Sequence, residues 1–150
     1  MRKFELENLQ WADVDRERKR ICIRHKPDWS PKSGERDLPM NDRLVTLFTR
    51  MQHDVEAAKP RDYVFSVVRS RHSGNWIREQ LIKTARKAGI EDLTKLHTLR
   101  HTFASHLVMK GVDLPTVQKL MGHSDIQTTM IYAHLAPNHL ADAVNKLELA

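Results

Sequence analysis

Residues 96–111 read LHTLRHTFASHLVMKG, and their spacing predicts a helix. Leu99, Phe103, Leu107 and Val108 recur at helical intervals and make one apolar face, and Gly111 closes the helix. His97 and Arg100 are three apart, so on a helix they share a face. That face lies away from the Phe103 and Leu107 stripe, so both side chains can point into a cleft. Two further pieces follow: Gly122-His123, and Tyr132 inside Thr128-Thr129-Met130-Ile131-Tyr132-Ala133-His134-Leu135.

Together these residues can attack, bind and protonate a phosphodiester without a metal. Arginine suits a phosphate because its planar fork donates two parallel charge-assisted hydrogen bonds. A pentacoordinate phosphorane gathers negative charge on its non-bridging oxygens, and fixed donors there lower the barrier, one donor typically by about 3 kcal/mol. A phenol, with a pKa near 10, needs neighbouring positive charge or a base to act as a nucleophile at neutral pH. Each piece alone is ordinary. Histidine and arginine on a helix are most often a solvated face, and a tyrosine ending an apolar stretch is usually core with its hydroxyl hydrogen-bonded. Their order and spacing together favour the chemical reading. His101, His106, His134 and His139 read as packing or surface residues. No cysteine or carboxylate falls at the usual zinc-site spacing beside them.

Working outward, Leu114-Pro115 opens a short helix through Leu120. Ser124 or Asp125 caps the next, which carries Tyr132, and Pro137 starts a last helix with Leu140, Ala143, Val144 and Leu147 on one side. Upstream, Trp76, Ile77, Leu81, Ala85 and Ala88 lie inward on a helix stopped by Gly89. Asn41 or Asp42 caps another, with Leu44, Leu47, Phe48, Met51 and Val55 at helical spacing. Tyr63-Val64-Phe65 is a short strand candidate. Ile21 and Ile23 alternate as in a strand, and Pro27, Pro31, Ser33 and Gly34 mark a turn. Arg36 to Pro39 returns as a partner strand with Pro39 at its end or edge. Ala12 to Arg20 is charged and turn-like. Phe4, Leu6 and Leu9 with Trp11 suit a short helix ending near Trp11. The fold class is mostly α with a small antiparallel β-sheet near the N-terminal end, an α+β arrangement.

The chain has 150 residues, 40% hydrophobic and 29% charged, with a net charge of +6. That is one domain in size, and its basic balance favours a polyanionic partner. The single cysteine, Cys22, excludes an internal disulfide and any multi-cysteine metal site, and reads as a small buried strand residue. No leader and no long apolar run is visible, which predicts a cytoplasmic protein. The loop from Arg69 to His72 and the cations Lys83, Arg86 and Lys87 are candidate phosphate contacts, with a solvated basic face as the alternative.

The chain resembles the catalytic domain of tyrosine recombinases, the phage integrase family, over nearly all its length. Leu96 to Leu107 looks like the family's second box. Leu120-Met121-Gly122-His123-Ser124 with Thr128 to Tyr132 looks like its nucleophile region. Met1 to Asp15 is similar to the first box, and Pro31 to Met40 to the β-hairpin that presents a catalytic lysine.

The resemblance implies a catalytic set of Arg2, Lys32, His97, Arg100, His123 and Tyr132. Tyr132 would attack the scissile phosphate to give a 3′-phosphotyrosyl bond. Arg2 and Arg100 would clamp the non-bridging oxygens, and Lys32 would protonate the leaving 5′-oxygen. His97 and His123 would hydrogen-bond the phosphate, and Glu5 would hold the Arg2 region. It implies no cofactor, metal or ATP. The implied partners are double-stranded DNA and, through the Leu140, Val144 and Leu147 face, a neighbouring protomer, with a tetramer on DNA in the full-length family. No membrane is implied. Family members carry one or two helices before the first arginine and a separate N-terminal DNA-binding domain. The expectation is therefore a catalytic domain lacking both, bacterial or phage-encoded, and weakly active or inactive alone. The competing readings are a type IB topoisomerase-like nicking and closing enzyme, and a non-catalytic DNA-binding module.

Overall fold

Alternation at residues 20–23 builds the middle strand of a three-stranded antiparallel sheet. The computed structural model describes residues 1–55, 58–66, 75–137 and 144, in two compact units, Met1–Thr98 and Leu99–Ala150.

In the first unit, α1 is Lys3–Glu7, and a 3-10 turn follows at Trp11–Asp13. The sheet runs β1 (Val14–Asp15), β2 (Arg20–Ile23) and β3 (Arg36–Pro39) in that order. Val14 pairs with Ile21, and Ile21 with Leu38. Ile21, Ile23 and Leu38 therefore share one face, and they pack with Leu9, Trp11, Met40, Phe48 and Val64. Cys22 points the other way, toward Asp37, and is half-buried rather than buried. On that face Arg20 bonds Asp15 at 3.2 Å and Asp37 at 2.9 Å. Lys26 meets Asp13 at 2.6 Å with both side chains largely buried.

The helix α2 (Asp42–His53) is capped by the Asn41 side chain, which accepts from the Leu44 amide at 3.0 Å. Phe48 is buried and meets Trp11 edge to face at 6.4 Å. Leu47 and Val55 are exposed, and Val45 packs on the core in their stead. The helix α3 (Asn75–Lys87) buries Ala85, while Ala88 is exposed.

Three boundaries differ from the sequence reading. The first helix stops at Glu7, because the buried Asn8 side chain turns back to bond the Phe4 carbonyl. Val14 and Asp15 form a strand, since their backbone finds partners in β2 despite the charge around them. Tyr63 makes one bridge, to Gln10, and Val64 bonds Leu9, so the Tyr63–Phe65 candidate is a single contact and not a strand.

The helix α4 (Leu96–Met109) carries the boundary between units. In the second unit follow α5 (Leu114–Met121), α6 (Gln127–Met130) and a 3-10 turn at Ala133–Leu135. Ala104, Val108, Val117, Met121 and Tyr132 form the core. The inward stripe of α4 is thus Ala104 and Val108, four apart. Leu99 and Phe103, one position back, stand 49% and 50% exposed. The small Ala104 side chain, fully buried, lets that face approach its neighbours closely, which a phenylalanine there would prevent. Gly111 ends α4 at φ +82°, with the Val112 amide bonding Leu107. The last predicted helix lies outside the described residues apart from Pro137 and Val144, which is helical and exposed. So does the Arg69–His72 loop. Among the described residues no helix is long and apolar enough to cross a membrane.

Candidate active site

Glu5 organises the first unit's share of the candidate residues. It sits at the third position of α1, where its carboxylate reaches back to the Arg2 amide at 2.7 Å. Arg36, opening β3, donates to both Glu5 oxygens at 2.9 and 2.8 Å. Burial alone would raise the Glu5 carboxyl. The Arg36 and Arg2 hydrogen bonds and the nearby positive charge outweigh it and hold the carboxyl below its ordinary value.

The Arg2 guanidinium in turn donates to the Ser33 hydroxyl. Ser33 lies in the turn that carries Lys32, which is exposed. The Gly34 amide closes that turn on the Pro31 carbonyl at 3.0 Å, with Gly34 at φ +71°. Arg2 and the Lys32 turn are therefore brought together. His97 stands in the first turn of α4, exposed.

In the second unit Arg100 falls on the same stripe as Ala104 and Val108. It is half-buried, and its guanidinium donates to the Met121 carbonyl at the end of α5. Arg100 lies off the Leu99 and Phe103 stripe, but the face it occupies is the packed one, one turn before Ala104. The next residues reverse the chain. Gly122 adopts φ +65°, ψ +44°, and its amide and that of His123 bond carbonyls of the last turn of α5. An alanine at 122 would enter the left-handed region at a cost of about 1 kcal/mol. We expect Gly122→Ala to lower the melting temperature by about 2–4 °C in thermal denaturation.

His123 bonds Thr129 through Nδ1 at 2.9 Å, and Thr129 is fully buried. Asp125 accepts from the Gln127 amide at 2.9 Å and so starts the turn into α6. Tyr132 lies two residues past that helix, at the head of the following 3-10 turn, rather than inside it. Its ring is core, 5% exposed. Its hydroxyl meets His101 Nδ1 at 2.6 Å. Burial pushes the Tyr132 phenol up, and the Arg100 charge works against that. Arg100, His123 and Tyr132 belong to one unit, and of the other two it is Arg100 whose charge reaches the Tyr132 phenol.

Four neighbours escaped the sequence reading: Ser33, Arg36, His101 and Thr129. A buried tyrosine hydroxyl must find a partner, and that was the signal for His101. Among the described residues no group of three histidine, cysteine or carboxylate side chains is placed to hold a metal ion.

The sequence profile of the phage integrase family matches residues 1–139. The tyrosine recombinase XerD of Pseudomonas putida is 42% identical over 113 residues, covering 72% of this chain and 38% of the relative. The tyrosine recombinase XerC of Corynebacterium efficiens is 36% identical over 145 residues, covering 95% and 45%. Among solved structures, XerA recombinase superposes with TM-score 0.72 at 28% identity over 99% of this chain and 52% of its own. The Tn1549 transposon integrase in complex with transposon right-end DNA gives 0.70 at 26% identity, over 97% and 54%. The catalytic domain of bacteriophage HP1 integrase gives 0.60 at 27% identity, over 97% and 74%. The fold is that of tyrosine recombinase catalytic domains. The chain belongs to the phage integrase family, and it spans about two fifths of the length of the curated relatives it matches.

Proposed function

We propose that this chain is the catalytic part of a site-specific DNA recombinase that cleaves and rejoins DNA through a 3′-phosphotyrosyl bond on Tyr132. One observation supports the reading: the Arg100 charge acts on the phenol of Tyr132, and His123 belongs to the same small unit. A buried phenol with neither a cation nor a base nearby would be core and nothing more.

In the reaction the Tyr132 oxygen attacks phosphorus in line with the 5′-oxygen, which leaves. Arg100 and Arg2 hold the two non-bridging oxygens, each offering the donors that a developing dianion needs. Thr129 fixes the His123 imidazole through Nδ1, so Nε2 meets the phosphate. His97 donates from the same helix as Arg100. Lys32, exposed on a turn stabilised by Gly34 and Pro31, protonates the leaving 5′-oxygen. The energy of the broken bond stays in the phosphotyrosine, so a 5′-hydroxyl from a partner duplex reverses the step without ATP or metal. Double-stranded DNA is the substrate, a reading supported by the solved complex of the Tn1549 transposon integrase with transposon right end DNA. The segment after Tyr132 docks a neighbouring protomer, four of which act on two duplexes.

The test is a denaturing gel of the protein incubated with nicked suicide duplexes that carry candidate attachment sites. A covalent protein–DNA band is expected. Arg100→Ala should weaken that band on the order of 10²–10³-fold, because a transition-state donor is lost. An Arg100→Ala band at wild-type rate would remove the arginine from the reaction. Transfer of the bound strand to a second duplex separates recombination from simple nicking and closing.

A further inference from the structure

We propose that His101 is the base for the Tyr132 nucleophile: its Nδ1 takes the phenolic proton as the tyrosine oxygen attacks phosphorus. This rests on the assignment of Tyr132 as the nucleophile and adds a catalytic residue to it. The O–H pair becomes the O–P bond and the proton goes to Nδ1. The P–O5′ pair leaves with the 5′-oxygen, which is protonated separately.

Geometry carries the inference. Tyr132 Oη and His101 Nδ1 are 2.6 Å apart, the distance of a strong hydrogen bond already aligned for transfer. The two rings lie 5.9 Å apart, tilted by 51° and not stacked, with the hydroxyl at the ring nitrogen. Among the described residues, the Tyr132 hydroxyl has no hydrogen-bond partner besides His101. The ring cannot swing easily to find another, because Ala104, Val108, Val117 and Met121 enclose it. A hydroxyl so held has one place to put its proton.

Chemistry supplies the need. A buried phenol stays protonated at neutral pH, and burial raises Tyr132 further. Arg100 stabilises the phenolate but, as a permanent cation, accepts no proton. His123 has its Nδ1 committed to Thr129. The charge that acts on the Tyr132 phenol is that of Arg100, beside His101 on α4. His101 Nδ1, which already meets the hydroxyl, is the acceptor within reach, and the residue is exposed enough to pass the proton to solvent.

The test uses thymidine 3′-(4-nitrophenyl phosphate), whose leaving group needs no acid and whose attack requires no DNA site. Tyrosine attack releases 4-nitrophenolate and leaves a thymidine 3′-phosphate mass on the protein. His101→Gln keeps size and a donor but accepts a proton poorly. It should slow labelling on the order of 10²–10⁴-fold, the range of a lost general base. It should also flatten the rise of the rate with pH through the imidazole range, with the melting temperature little changed. In His101→Gly, added imidazole should restore the rate, which a packing role would not allow. Tyr132-dependent labelling that His101→Gln leaves at wild-type rate overturns the proposal while the nucleophile stands. Labelling that persists in Tyr132→Phe overturns the nucleophile itself.

A second measurement needs no reaction. The chain has two tyrosines, so with Tyr63→Phe the ring-carbon resonance of Tyr132 can be followed alone. It should shift as His101 titrates and lose that shift in His101→Gln. A Tyr132 resonance flat through the imidazole range means the pair is not bonded in solution, and the proposal falls.

Discussion

Tyr132→Phe is expected to abolish the covalent protein–DNA band completely while leaving DNA affinity almost unchanged. The substitution removes one oxygen and nothing else. Phenylalanine keeps the ring that fills the space among Ala104, Val108, Val117 and Met121, so the second unit's core keeps its packing. The lost hydrogen bond to His101 costs about 1 kcal/mol of stability, which thermal denaturation would register as a small downward shift. Affinity comes from cations on phosphates, none of which is touched. Loss of the band with binding retained is therefore the signature of a nucleophile. A non-catalytic DNA-binding module differs in the wild type, since it forms no band with either protein. A band that survived in Tyr132→Phe would place the nucleophile elsewhere in the chain. Fluorescence anisotropy on the same duplexes supplies the binding arm, and its salt dependence should be identical for the two proteins.

The elements were legible in the sequence wherever local rules govern them. Asn41, Gly89, Gly111 and Gly122 punctuate helices by their own backbone and capping chemistry. The Arg36–Pro39 strand follows from the alternation of its partner and the intervening turn. What local rules do not reach is choice between neighbouring stripes. On α4 two apolar stripes lie one residue apart. Hydropathy favours the one with Leu99 and Phe103, yet packing selects Ala104 and Val108, because closeness of approach and not side-chain greasiness decides which face is covered. That choice turns Arg100 inward. For the candidate site, Arg100, His123 and Tyr132 were readable from order and spacing. Arg2 and Lys32 gained meaning only from resemblance. Their supports were invisible for a simple reason: Arg36 is 31 residues from Glu5, and His101 is 31 residues from Tyr132. No periodicity links such positions, and only the unsatisfied charge of a buried Glu5 or the hydroxyl of a buried Tyr132 hints that a partner must exist.

Glu5→Ala is expected to destabilise the first unit by about 3–5 kcal/mol, the cost of leaving a buried charge without its counter-ion. The Glu5 side chain is 2% exposed and that of Arg36 12%. Two further Arg36 nitrogens, Nε and Nη1, are buried without a hydrogen-bond partner among the described residues, so the carboxylate is what makes the guanidinium tolerable there. Removing it also frees the Arg2 amide that Glu5 accepts from, and with it the end of the chain that brings the Arg2 guanidinium to Ser33. Chemical denaturation should show the stability loss, and any covalent band should weaken with it. The pH dependence has a definite sign. The folded carboxyl sits below its unfolded value of 4.5, so its contribution is fully present above that pH. It is lost as pH falls through the folded value. Glu5→Ala should therefore be less sensitive to acid than the wild type while less stable at neutral pH. Glu5→Leu with Arg36→Met should recover much of the loss, since an apolar pair of similar volume needs no desolvation. If the double variant is as unstable as Glu5→Ala, the pair is not the source of the effect. If Glu5→Ala alone costs under about 1 kcal/mol, the range of exposed pairs, the guanidinium reaches water.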